Sequence, residues 1–141
     1  MVTPVVSRLS RTPTPTGGLA LGIASLAMVW EQLLPSGGSI QWAGAAIAGA
    51  ICLALIIKFT LNPKTLWLEL SHPVIGSVVP TLAMALMIVS VTLSQLDTGL
   101  AIALWLLAII AHFCFLVAFM AHRLQDWHLT PMNPSWFVPP I

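Results

Sequence analysis

The chain has 141 residues, 58% of them hydrophobic and only 6% charged, with a formal net charge of +1. A soluble domain carries about 25% charged residues, so this composition cannot clothe a water-facing globule, and the class is a polytopic membrane protein. The balanced charge leaves no basic face for nucleic acid. Cys52 and Cys114 both lie inside apolar runs and define no disulfide framework.

Residues 1–14 form a short polar tail with Arg8 and Arg11. Together with Gly18–Trp30 and the tripeptide Ser25-Leu26-Ala27 it imitates a signal peptide. The apolar run continues to Leu34 and further spans follow, so an uncleaved first span is expected. A spanning helix needs about 20 mostly apolar residues, and four stretches qualify: Gly17–Leu34, Gln41–Leu61, Pro73–Leu96 and Gly99–Ala121. The short Pro35–Ile40 connection and the turn around Asp97 pair these into two transmembrane hairpins, at 15–61 and 73–121. Residues 62–72 between them read as a loop carrying Lys64 and Glu69. Residues 122–141 read as a polar connector followed, from Pro134, by the start of a fifth helix. The expected fold is therefore all-α integral membrane, built from repeated helix hairpins.

Orientation follows from the basic residues. Arg8, Arg11, Lys58, Lys64 and Arg123 fall on one side once four spans are threaded, whereas the other side carries only Glu31 and Asp97. The N-terminus, the 62–72 loop and the connector are thus expected in the cytoplasm of a cell-membrane protein.

Pairs of a capping residue and a proline introduce the odd-numbered runs: Thr14-Pro15, His72-Pro73 and Asn133-Pro134. Thr and Asn cap helices and proline suits the first helical position. The near-equal spacing suggests one hairpin unit reused in one orientation; the plainer reading is that helix starts attract proline. Helices so oriented aim several N-termini, each with roughly half a positive charge, at one side. If they converge they favour an anion.

The third run holds Gly76, Ser77, Pro80 and Thr81. Pro80 removes a backbone N–H and frees the carbonyl of Gly76, which within lipid needs a partner from the bundle or from water. The hydroxyls of Ser25, Ser77 and Thr81 are candidates to meet a polar solute, the competing reading being bonds to carbonyls of their own helices. Gly18 with Gly22 on the first span, and Gly44 with Ala48 on the second, have the small-xxx-small spacing of close helix packing, which competes with a path-lining role. His72 reads as a cap or as an attractor of anions, and His112, inside the fourth span, as a bond across a helix pair. His122 and His128 fall in the connector, expected in water. Glu31 resembles the embedded acid of small proton-coupled exporters, but lies near Pro35 and so at an interface. Lys58 is placed to snorkel at the end of the second span. No catalytic grouping, metal-spaced cluster or phosphate loop can be assembled, so no enzyme, metal or cofactor is expected.

The segments PTGGLALGIASLAMVWE, LSHPVIGSVVPT and PSWFVPPI together resemble the tellurite-resistance/dicarboxylate transporter family, from Pro15 to Ile141 and in order. Its relatives include malate permeases, sulfite exporters and slow-type anion channels. The resemblance implies a pore of ten helices in five hairpins, with odd helices inside, even helices outside, and a trimer as the common assembly. It places Gly17–Leu34, Pro73–Leu96 and the Pro134–Ile141 segment, including Phe137, toward the pore. It also implies that these residues correspond to the N-terminal part of a longer protein. The expected function is membrane transport of a small anion of the dicarboxylate, sulfite, tellurite or halide class, in contact with the lipid bilayer. The path residues are Gly18, Gly22, Ser25, His72, Gly76, Ser77, Pro80, Thr81 and Phe137. The alternatives are a membrane scaffold subunit without transport and a haem-binding four-helix electron carrier. The latter requires histidines facing one another at one depth.

Overall fold

The computed structural model describes residues 13–34 and 36–125. Its elements are α1 (Thr16–Leu33), α2 (Ser39–Leu61), α3 (Pro63–Ser71), α4 (Ile75–Val78), α5 (Pro80–Leu93) and α6 (Thr98–Gln125). Among the described residues, three segments are long and apolar enough to cross a membrane: Ser39–Leu61, Ile75–Leu93 and Thr98–Leu124. The expected first span, α1, is an 18-residue helix. Its last turn carries Glu31 and Gln32, which lowers its hydropathy below that of the other three.

The first hairpin closes on glycine. Gly37 and Gly38 have φ of 72° and 88°, a left-handed backbone that glycine adopts without a Cβ penalty. The Glu31 carboxylate holds this turn, accepting from Ser36 N and Ser36 Oγ at 2.6 Å and from Gly38 N at 2.8 Å. Its role is thus to satisfy turn donors, in line with the interfacial reading. Below the turn α1 and α2 nearly touch, because a Cβ added at Gly44 would overlap that of Ala27. Lipid tails are as apolar as the helices, so backbone proximity and dispersion contacts, rather than expulsion of water, hold such a crossing.

A core of mostly small side chains sits between α1, α2 and α5: Ala20, Ala24, Ala48, Cys52, Leu55, Phe59, Leu82 and Ala85. The third span is the most enclosed, with 56% of its apolar stretch buried, against 39% for the second and 11% for the fourth. α6 packs on α5 and buries Ala101, Ala108 and Phe119. It leaves Ile102, Leu107, Ile110, Phe113 and Val117 exposed.

Pro80 divides the third span into α4 and α5, as expected. Val79, between them, keeps φ −56° and ψ −42°, so the hydrogen bonding is interrupted without a sharp change of direction. The 62–72 segment differs from the expected loop: it is helical from Pro63 to Ser71, with Asn62 at the cap position and proline at the helix start. α6 also continues beyond the expected end at Ala121. His122 therefore lies on a helix, half-buried, with Nδ1 2.6 Å from the Ala118 carbonyl and its ring 4.6 Å from that of Trp67. Phe137, His128 and the Asn133-Pro134 start lie outside the described residues.

Candidate functional site: the helix starts and the broken third span

The start of α1 meets the start of α5. A Cβ on Gly17 would lie 3.2 Å from Thr81 Oγ1 and 3.3 Å from Leu82 N, and one on Gly18 would lie 4.0 Å from the same hydroxyl. The lack of a side chain at Gly17 lets the first turn of α1 rest directly on the backbone after the proline break. Gly18 and Thr81 are thereby brought together. Further along α1, Gly22 faces open space, where an added Cβ would meet nothing within 4 Å, and Ser25 is half-buried. Gly76 lies elsewhere: a Cβ there would meet the Leu70 carbonyl at 2.5 Å and Phe119 at 2.9 Å, so the close approach at Gly76 is to α3 and α6.

The hydroxyls of the third span are turned onto their own backbone. Ser77, fully buried, donates to the Val74 carbonyl at 2.8 Å, and Thr81 donates to Val78 at 2.6 Å. With their protons so committed they offer lone pairs rather than donors to their surroundings, and an anion would need them to rotate. Pro80 is also fully buried. Its carbonyl is 3.3 Å from His112 Nδ1. A carbonyl can only accept, so His112 donates through Nδ1 and ties α6 to the break. His72 caps the beginning of the span, its Nδ1 accepting from Val74 N at 3.3 Å and Ile75 N at 3.4 Å.

Sequence reading missed the polar cluster beside these helix starts. Lys58 Nζ donates to Glu69 Oε1 at 2.7 Å and to Thr14 Oγ1 at 2.8 Å, while the Thr14 hydroxyl donates to the other Glu69 oxygen. Two expectations are thereby corrected. Lys58 does not snorkel outward; it is only 4% exposed, because α3 folds back and presents a carboxylate to it. The Thr14 side chain does not cap α1; Pro15 occupies the cap position without a side-chain cap bond. The one available signal was Asn62-Pro63, a helix start that places Glu69 two turns along α3. Arg123, also buried, donates to the Ser71 carbonyl and lies 5.9 Å over the Phe119 ring. α3 thus joins the start of α1, the end of α2 and the end of α6.

At the opposite end, where the Glu31 and Asp97 carboxylates hold turns, the contacts between α2 and residues 92–95 are neutral. Gln41 Nε2 donates to Thr92 Oγ1 at 3.2 Å, Gln95 Nε2 donates to Gln41 Oε1 at 3.0 Å, and Trp42 Nε1 donates to Gln95 Oε1 at 3.1 Å. Asp97 Oδ1 accepts from Leu100 N at 2.8 Å and caps α6. Among the described residues no group of His, Cys, Asp and Glu is placed to hold a metal ion.

Helix hairpins packed through small residues, apolar and exposed along α6 and carrying a proline break in the most enclosed span, define a multi-pass helical membrane protein. Residues 14–141 match the voltage-dependent anion channel family (SLAC1), and the chain belongs to that family. Its members are channels and transporters rather than enzymes. The chain is also similar to an uncharacterized transporter of Methanocaldococcus jannaschii, with 29% identity over 90 residues. That match covers 61% of this chain and 26% of the relative. No solved structure matches the chain.

Proposed function

We propose that this chain contributes the first hairpins of a protein that moves small anions across the cell membrane, with its N-terminus in the cytoplasm. The observation carrying this reading is the contact of the α1 start, at Gly17 and Gly18, with Thr81 just past the Pro80 break. Two helix starts share one neighbourhood there; the first amides of α1 already bond to Pro13, Thr14 and Pro15, so the bias toward negative charge comes from the helix dipoles themselves. Membership of the anion channel family gives that electrostatic bias a use. The path runs past Gly18, Gly22, Ser25, His72, Gly76, Ser77, Pro80 and Thr81, with Phe137 contributed by the following segment. The solute is a dicarboxylate, sulfite, a tellurium oxyanion or a halide, and the assembly is a trimer, as in the resembling family. The match covers 26% of the transporter relative, which supports a pore shared with further helices.

The test is anion flux in liposomes by the intact transporter containing these residues, comparing wild type with the Ser77→Val/Thr81→Val double variant. The variant should change flux or anion selectivity at equal protein content. Unchanged flux and selectivity would remove both hydroxyls from the path. Impermeant labelling of cysteines placed at positions 11 and 64 should find both on the cytoplasmic side. Labelling from opposite sides would refute the arrangement.

A further inference from the structure

α3, PKTLWLELS, sorts its residues by face. Glu69 and Leu70 turn inward, Glu69 binding Lys58, and the backbone carbonyls of Leu70 and Ser71 face the bundle, the first close to Gly76 and the second receiving Arg123. Lys64, Trp67 and Leu68 turn outward, with Trp67 61% and Leu68 68% exposed. With Pro63 they line an open hollow of about 500 Å³. The apolar surface of the spans runs up to this helix. Leu61, which ends α2 just before it, is exposed, as are Met120 and Leu124 on either side of His122, the ring that Trp67 touches.

Charge selects the occupant of that outer face. Of the cations described at this end, Lys58 and Arg123 point inward onto Glu69 and Ser71, so Lys64 is the one presented outward. The acidic residue of α3, Glu69, is already engaged on the inner face. An indole, a leucine and a proline beneath one outward cation, at the point where a span ends, match the layered chemistry of the bilayer boundary. We propose that α3 is a membrane-surface helix whose outer face binds an anionic phospholipid. Lys64 meets the headgroup phosphate, and Pro63, Trp67 and Leu68 lie against the glycerol and upper acyl region. This inference is independent of which anion the protein transports.

The experiment uses the protein in nanodiscs. Lipids brominated at shallow or deep acyl positions quench nearby tryptophan, and the difference between wild type and Trp67→Phe isolates the Trp67 signal. That signal should be quenched more by shallow than by deep bromine. In detergent, titrating phosphatidylglycerol should raise the thermal midpoint of the wild type. Lys64→Glu should weaken the apparent affinity roughly fivefold or more, Lys64→Arg should preserve it, and phosphatidylcholine should not discriminate among the three. Equal midpoints for the three proteins without added lipid show that folding is intact. Absence of bromine quenching of Trp67 would mean that protein, from a second copy or another part of the chain, covers this face, and would overturn the proposal. Equal phosphatidylglycerol affinity for wild type and Lys64→Glu would overturn the headgroup site.

Discussion

The two ends of the bundle solve the same problem with different chemistry. At the Gln41 end, amides, a hydroxyl and an indole exchange neutral bonds between α2 and residues 92–95, at and just beyond the end of α5, and Gln95 there is exposed. At the Lys58 end a buried ammonium, a carboxylate and a hydroxyl join α1, α2 and α3. At the first end, water can replace the bonds of exposed Gln95, and no charge is stranded when one is lost. At the second, removing one member leaves a charge with little solvent to receive it, and desolvation is what makes unpaired buried charges costly. The neutral end therefore tolerates change, while the charged end fixes where α3 sits.

The largest effect should come from breaking that pair. Lys58→Ala strands Glu69 and should destabilise the fold by about 3–5 kcal/mol, read by reversible unfolding in mixed detergent micelles. Replacing both partners with apolar residues, Lys58→Met/Glu69→Leu, should recover most of the loss. A double variant as unstable as the single one would show that packing, not stranded charge, is responsible. Next is Gly76→Ala. Its Cβ would lie 2.5 Å from the Leu70 carbonyl, so α3 must shift. Overpacking of this kind costs about 1–3 kcal/mol, and a cysteine crosslink between α3 and α6 should slow in the variant. Smaller again is Gln95→Ala at the neutral end, which should cost about 0.5–1.5 kcal/mol; a loss matching that of Lys58→Ala would erase the distinction between the ends. The smallest is His112→Leu, which removes the bond to the Pro80 carbonyl. Interhelical bonds in membranes average about 0.6 kcal/mol, and the same unfolding assay resolves it.

Much of the architecture is legible in the sequence because lipid imposes simple rules. Long apolar runs mark α2, the third span and α6, short connections mark hairpins, and Pro80 marks the break. The Lys58 pair is not legible, because a lysine ending a span looks the same whether it turns out to water or inward to a partner. That choice depends on α3, whose nine residues are too few to display a clear period. Its start at Asn62-Pro63 obeys the same cap-and-proline pattern that introduces the odd-numbered runs. With Pro80 also opening a helix, proline at helix starts is widespread here, which favours the plainer account of the spacing between starts. The hydroxyls of Ser77 and Thr81 have two outcomes open to them from sequence alone, and each bonds to a carbonyl three residues back in the same span.

The polar cluster also has an order in time. Thr14, Lys58 and Glu69 all precede the third span in the chain, and Lys58 and Glu69 are separated by only 11 positions. As the polypeptide leaves the ribosome, the lysine can be neutralised once the next short helix has formed, before α5 and α6 have been made. α5 and α6 follow in the chain, and Arg123, which donates to the Ser71 carbonyl, is the last of these polar side chains to be made.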